Sequence, residues 1–364
     1  MDIVEIRRRV KAVRKLLRRS GVDGLVVMGV ENVRYLTGFR GHDSWVLVLG
    51  RSVVLVTDSR YTEQAKAECL GCRIVERKGS IVKEVGGLLE KYSDVKILGI
   101  EDSCSVALLK TLRKKLSVKL KPVRGMVENV RIIKSDDEVK LIRKASKIAF
   151  DAMQWALEQV KPPMTELELA ALYEYRLRAY NAKVSFETIV SFGPNGSRNH
   201  HQPGKRKLRK NDTILLDFGA NYEGYASDMT RCYAVGKVTP FFRTVYETVA
   251  RAQRAAIDKV GDGVRLCEVD AAARAVIQEA GLAVYGHGTG HGLGLQVHEL
   301  PYVTGTDKKG RLKAGQVITI EPGVYLPGKM GVRLEDDVLV TKTGGRVLSA
   351  DKRFDVKTDK VPLL

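Results

Sequence analysis

The chain has few cysteines, no long apolar run and no phosphate-binding signature, and each absence narrows what it can be. No stretch approaches the ~20 consecutive apolar residues needed to cross a bilayer, so no membrane segment is expected. The opening MDIVEIRRRV carries acids and lacks an apolar core ending in small residues, unlike a secretion signal; a cytoplasmic location is the expectation. The cysteines, Cys69, Cys72, Cys104, Cys232 and Cys267, are odd in number and scattered, which argues against a disulfide framework. Cys69 and Cys72 have CxxC spacing, but no second pair or nearby histidine completes a zinc site, so ordinary reduced thiols are expected. There is no phosphate loop, no glycine fingerprint and no repeat at solenoid period.

What is present fits a two-domain globular protein. The 364 residues are 44% hydrophobic and 29% charged, a balance typical of folded domains, and the length allows two cores. Lys and Arg exceed Asp and Glu by 19, which invites a nucleic-acid reading. Yet the basic residues spread over the whole chain, densest on a first helix (Arg7 to Arg9, Arg14, Lys15, Arg18, Arg19) and in a loop (Lys205 to Lys207, Arg209, Lys210). Neither cluster is interleaved with aromatics as a strand-binding groove is. Solvated faces on a protein of a hot or salty cytoplasm explain them, and nucleic acid is not the expected partner.

Through residue 125 the pattern alternates. A basic amphipathic segment, Val4 to Arg19, leads into apolar runs at Gly24 to Met28, Trp45 to Leu49 and Val53 to Thr57. A helical stretch follows at Tyr61 to Cys69, then strand-like runs at Arg73 to Val75 and Val95 to Ile100. Short apolar runs alternating with helices predict an α/β domain around a mostly buried sheet. The pattern then changes. Ser135-Asp-Asp-Glu138 and Thr165-Glu-Leu-Glu168 are capping boxes opening two helices, the second just after Pro162-Pro163. Strand-like runs at Val184 to Ser191, Thr213 to Gly219 and Ala226 to Val235, helices at Phe241 to Lys259 and Leu266 to Ala280, and strands at Val317 to Tyr325 and Gly331 to Thr341 predict an α+β domain. The boundary is placed at residue 128, giving domains 1–128 and 129–364.

Chemistry concentrates in the second domain. In Thr213-Ile-Leu-Leu-Asp-Phe-Gly-Ala-Asn-Tyr-Glu-Gly-Tyr-Ala-Ser-Asp228, a hairpin turning at Tyr222 and Glu223 would set Asp217 opposite Asp228 on one sheet face. In Val317-Ile-Thr-Ile-Glu321-Pro-Gly-Val-Tyr325, followed by Pro327-Gly328 and Gly331-Val-Arg-Leu-Glu335, the acids Glu321 and Glu335 are equidistant from Gly328 and should also face each other. Like charges so placed need a shared proton or a cation, and four carboxylates exceed what one proton can reconcile. A fifth ligand is offered by His291 in Gly286-His-Gly-Thr-Gly-His291-Gly-Leu-Gly-Leu-Gln-Val-His298, where glycines allow close backbone approach. One nitrogen with four carboxylates suits Mn, Co, Fe or Zn rather than a closed structural zinc site. Two such ions ~3.5–4 Å apart can activate water and polarise a carbonyl, which is hydrolysis. Taken singly, each residue has an ordinary role: Asp217 a turn acid, Asp228 a cap, Glu321 a surface acid before proline, Glu335 part of a solvated run with Asp336 and Asp337, His291 a core histidine. Their pairing is what argues for a site.

These residues resemble the pita-bread metallopeptidases, in the branch containing prolidase (Xaa-Pro dipeptidase) and Xaa-Pro aminopeptidase. The resemblance covers nearly the whole chain. In the first domain it rests on Asn32-Val-Arg-Tyr-Leu-Thr-Gly38 and Thr57-Asp-Ser-Arg-Tyr61, and at the junction on Arg131-Ile-Ile-Lys-Ser-Asp-Asp-Glu138. In the second it rests on Leu216-Asp-Phe-Gly219, Ser227-Asp-Met-Thr-Arg231, His287-Gly-Thr-Gly-His-Gly292, Val297-His-Glu299, Glu321-Pro-Gly323 and Val332-Arg-Leu-Glu335. It implies an α/β N-terminal creatinase-like domain plus an α+β C-terminal pita-bread catalytic domain. It also implies two divalent metal ions, with Asp217 on one, His291 and Glu321 on the other, and Asp228 and Glu335 bridging. By the same resemblance His200, five residues after Asn195 of Gly193-Pro-Asn195, is the catalytic histidine, and His201 is read as a bystander. His298 contacts substrate near the scissile bond, Arg333 orients a ligand carboxylate, and Glu321 shuttles the proton. Short peptides with proline second are the implied substrates, and a homodimer through the N-terminal domains is the implied assembly.

One departure bears on substrate. Many prolidases carry an arginine three to four residues after His298, able to pair with a dipeptide carboxylate; here Glu299-Leu300-Pro301-Tyr302 follows. Tyrosine donates a hydrogen bond but cannot neutralise that charge, which leaves room for an aminopeptidase acting on longer peptides. Methionine aminopeptidases usually lack the N-terminal domain and creatinase lacks the full metal set, so both are disfavoured. The non-enzyme alternative, a pita-bread binding protein for nucleic acid or another protein, is disfavoured because all five ligands are present.

Overall fold

The computed structural model describes residues 2–349 and 361–364. The chain divides into two compact units, Met1–Arg131 and Ile132–Leu364, so the division falls three residues after the expected boundary.

The first unit opens with α1 (Ile3–Arg19), whose N-terminus is capped by Asp2 accepting from the Glu5 amide at 2.8 Å. Ile6, Val10, Val13 and Leu17 recur at helical spacing and are buried. Then follow β1 (Gly24–Val27), α2 (Val30–Thr37), β2 (Trp45–Val48), β3 (Val53–Thr57), α3 (Thr62–Glu68), β4 (Arg73–Glu76), α4 (Ile81–Leu89), β5 (Ile97–Glu101), α5 (Val106–Lys115), β6 (Lys119–Val123) and α6 (Glu128–Arg131). The strands form one mixed sheet in the order β4-β3-β2-β1-β5-β6. β1, β2 and β3 are almost wholly buried, which is why they read as continuous apolar runs rather than alternating ones. Sequence periodicity did not reveal α2, α4, α5 or β6; the first three are short or weakly patterned, and β6 carries alternate lysines and a proline.

The second unit repeats one order of elements, two helices and then a hairpin. Its first half holds α7 (Asp136–Leu157), α8 (Glu166–Ala179), β7 (Lys183–Val184), β8 (Ile189–Phe192), β9 (Thr213–Phe218), β10 (Ala220–Tyr222), β11 (Tyr225–Ala226) and β12 (Met229–Ala234). Both expected capping boxes form. The second half holds α9 (Pro240–Lys259), α10 (Leu266–Glu279), β13 (Gly290–Gly292), β14 (Glu299–Val303), β15 (Val317–Ile320), β16 (Gly323–Leu326), β17 (Met330–Arg333), β18 (Asp336–Val340) and β19 (Gly345–Val347). Helices α7 and α8 pack their apolar faces on β8, β9 and β12, while α9 and α10 pack on β15, β17 and β18. The opposite face of β8, β9 and β12 contributes Ile189, Leu215 and Cys232 to the core beneath α9 and α10, and Asp217 shares that face by period-two alternation. The run expected at Val184 to Ser191 is broken into β7 and β8, and the intervening residues Phe186 to Thr188 line a cleft.

Register explains how the acids meet. Along the second hairpin, Ile320 pairs with Asp336 and Gly323 with Arg333. One unbroken register thus sets Glu321 opposite Glu335, as expected, in the gap between two ladders. The first hairpin turns one residue later than expected, at Glu223 and Gly224, both at positive φ (47° and 77°) as a type I′ turn requires. Asp217 consequently pairs with Thr230, not Asp228. Asp228 lies two positions from that partner, and because side chains alternate with period two it keeps the same face, diagonal to Asp217. An isolated bridge from Thr230 to Glu335 joins the two hairpins.

Candidate metal and active site

A cleft of about 590 Å³ in the second unit collects all five expected ligands. Five of the chain's six histidines also line it: His200, His201, His287, His291 and His298. Ligating atoms of Asp217, Asp228 and Glu335 lie within 4.8 Å of one another, as do those of His291, Glu321 and Glu335 and those of Asp228, His291 and His298. Glu335 belongs to both carboxylate-rich groups and Asp228 reaches both neighbours. The surroundings raise the cost of this arrangement. Burial first, and the adjacent carboxylates second, push Asp228 and Glu335 well above the usual carboxylate range. Burial likewise raises Glu321 to about 8, although a fifth of its side chain is open to the cleft.

The chain's own hydrogen bonds leave these groups short of partners. Asp217 Oδ2 accepts from Arg333 Nη2 at 2.6 Å, but Asp217 Oδ1 is buried with no hydrogen-bond partner, an arrangement that is costly unless something else pairs with it. His291 Nδ1 faces the Gly292 carbonyl at 3.1 Å, which fixes the proton there and leaves the Nε2 lone pair 3.6 Å from Asp228 Oδ2 and 3.7 Å from Glu321 Oε1. Burial holds this imidazole down to about 4, so near neutral pH it is uncharged. A lone pair and several carboxylate oxygens converging on one point repel unless a cation lies between them. The donor set, one imidazole nitrogen and carboxylates, fits a divalent ion of the Mn to Zn series.

Around these groups runs a bracing network. Thr230 Oγ1 donates to Glu335 Oε2 at 2.7 Å and accepts from Arg333 Nε at 3.0 Å. Arg333 Nη1 donates to Tyr325 Oη at 2.9 Å, and Tyr325 Oη lies 3.0 Å from His287 Nε2. The Asp228 amide points to the Asp337 carboxylate at 3.3 Å, and Asp337 also accepts from Ser146 Oγ at 2.8 Å. His298 stacks edge-on against His291 with ring centroids 4.3 Å apart, and the adjoining Glu299 is held by Lys134 Nζ at 2.6 Å. His200 is exposed within the cleft.

Some of this was invisible in the sequence. Asp336 and Asp337 are fully buried rather than a solvated run; Asp336 is engaged by Arg231 Nη2 at 2.7 Å. His287 was passed over as a site residue, although its place four residues before His291 was a usable signal. His201 is no loose bystander: its Nε2 lies 2.9 Å from Glu166 Oε2. Within the glycine-rich stretch, Gly290–Gly292 forms strand β13 and carries His291.

A helix-backed α+β unit with acids on two hairpins and imidazoles on a neighbouring strand defines a metallohydrolase-like site. Residues 140–342 match metallopeptidase family M24 and residues 9–133 match the creatinase/prolidase N-terminal domain; the chain belongs to metallopeptidase family M24. It is 35% identical over 357 residues to a Pyrococcus horikoshii protein called Xaa-Pro dipeptidase, covering 97% of this chain and 99% of that one. Among solved structures it matches Xaa-Pro dipeptidase from Bacillus anthracis with a TM-score of 0.93 at 31% identity, covering 99% of this chain and 100% of the other. X-Pro aminopeptidase from Thermotoga maritima gives a TM-score of 0.88 at 31% identity, covering 97% and 99%. The expected fold, a creatinase-like domain followed by a pita-bread catalytic domain, is borne out.

Proposed function

We propose that the chain is a dinuclear-metal-dependent exopeptidase that cleaves the bond between an N-terminal residue and a following proline. The observation that carries this reading is the convergence of Asp217, Asp228, His291, Glu321 and Glu335, with Glu335 common to two of the three clusters, in a protein whose relatives are Xaa-Pro peptidases. In this reading Asp217 would hold one ion, His291 and Glu321 the other, and Asp228 and Glu335 would be shared by both. Two bound cations supply Lewis acidity and an activated water. Arg333, fixed by Thr230 and Tyr325, keeps Asp217 turned toward the cluster. Glu321 takes the proton of the attacking water and delivers it to the leaving proline nitrogen. His200 and His298 flank the scissile carbonyl and donate to the oxygen that becomes negative in the tetrahedral intermediate.

The ions are read as Mn, Co, Fe or Zn, which all accept these donors. A homodimer and a cytoplasmic setting complete the reading; among the described residues no helix is long and apolar enough to cross a membrane. The non-catalytic alternative gains no support from these relatives. Tyr302, 52% exposed, stands where many prolidases carry arginine, which favours substrates longer than dipeptides. The test compares Xaa-Pro dipeptides, Xaa-Pro-Xaa tripeptides and matched peptides with alanine second, after chelation and restoration of Mn or Co. Cleavage of the proline peptides alone is expected, with tripeptides preferred; equal cleavage of the alanine peptides would overturn the proline specificity.

A further inference from the structure

We propose that Glu166 is the residue that positions His200, by tying both ends of the His200 loop to a single buried carboxylate. The inference rests on the peptidase reading above. Glu166 is 0% exposed and is the first residue of α8. Its Oε1 accepts from the Phe192 amide and from Asn195 Nδ2, both at 2.8 Å. Its Oε2 accepts from His201 Nε2 at 2.9 Å and from the Gly204 amide at 3.1 Å. An ionised carboxylate offers about four lone-pair sites and no donor, so these contacts use its whole capacity. A carboxylate this deeply buried is tolerated only when so satisfied, and the start of a helix is where its charge is favoured.

The four donors are arranged around His200. Phe192 and Asn195 precede it; His201 and Gly204 follow it. His200 itself is exposed in the cleft, so its placement depends on the backbone that carries it. The anchor is fixed in turn: α8 is closed by the Thr165 and Glu168 capping box, the Glu166 amide donates to the Arg206 carbonyl and the Leu167 amide to the Gly204 carbonyl, each at 3.2 Å. Glu166 is not among the residues lining the cleft, so it acts through His200 and is a positioning residue.

The experiment is a double-mutant cycle between Glu166→Gln and His200→Ala on metal-loaded full-length protein. Glutamine keeps the shape but replaces one double acceptor by a donor that faces two existing donors. With His200 present, Glu166→Gln should lower kcat on the order of 10²-fold, the cost of a misplaced catalytic group, while KM stays within about twofold and metal content is unchanged. In the His200→Ala background the same change should alter kcat by less than about twofold, because coupled residues are not additive. Equal losses in both backgrounds, or no loss with His200 present, would overturn the proposal. If Glu166→Gln does not fold, Asn195→Ala removes one donor and replaces it in the cycle. If the unaltered protein cleaves no proline peptide, the peptidase reading fails, and the positioning claim is read from ¹⁵N-histidine spectra instead. There Glu166→Gln should shift the imidazole resonances of both His201 and His200; an unmoved His200 would overturn it.

Discussion

Arg333 and Asp217 are joined by a buried ion pair, Nη2 to Oδ2 at 2.6 Å, that engages one carboxylate oxygen and leaves the other, Oδ1, without a hydrogen-bond partner. In the proposed site, an arginine that satisfies one oxygen of Asp217 aims the other. Arg333→Ala is therefore expected to weaken metal binding about 10–100-fold, read by metal titration of the stripped protein. Lysine should recover little of this, since the guanidinium fork also holds Thr230 and Tyr325.

Thr230 is one of the links between the two hairpins, donating to Glu335 and accepting from Arg333. Thr230→Val preserves volume but strands the Arg333 Nε proton in a fully buried place. The expected cost is about 1–3 kcal/mol of stability, measured by urea unfolding of the metal-free protein, together with weaker metal binding.

Because Glu335 belongs to two of the three candidate ligand groups and Asp217 to one, the two substitutions should differ in stoichiometry under the proposed site. Asp217→Asn should retain about one equivalent of metal while Glu335→Gln retains neither, as read by elemental analysis after dialysis. Equal retention in the two variants would contradict the bridging role.

The pH dependence of the chelated protein follows from Glu321. Burial raises its carboxyl from 4.5 to about 8, so between those values the folded chain binds a proton that the unfolded chain releases. Its contribution to stability is complete below pH 4.5 and is lost as pH rises through 8; Asp228 and Glu335 are shifted in the same direction. Buried His287 and His291, held down to about 4, work in the opposite direction below their ordinary value of 6.5, so thermal melting of the stripped protein should fall as pH rises from about 6.5 to 8. Saturating metal, whose ligands bind deprotonated, should abolish or reverse that slope.

How much of this could be read in advance depended on where local signals were strong. The register of Glu321 and Glu335 was legible because Gly328 marks a symmetric centre. Asp217 and Asp228 were mispaired by one turn position, yet their shared face survived because strand side chains alternate. The capping boxes of α7 and α8 were legible since their chemistry is local. β13 was not, since Gly290-His-Gly292 has no β-forming residue to spare and becomes a strand only between β14 and β15. Asp336 and Asp337 read as part of a solvated run, and Glu166 carried no signal beyond its place in a capping box; their burial is decided by Arg231, Ser146 and the 192–204 loop, partners distant in sequence.

The central claim, that five side chains on two hairpins and one strand hold a catalytic pair of cations, is tested most directly by titrating stripped protein with Mn or Co while following cleavage of an Xaa-Pro-Xaa peptide. Activity should appear with metal and saturate at about two equivalents per chain. Undiminished activity in the stripped protein, or inactivity with Mn, Co, Fe and Zn alike, would contradict it.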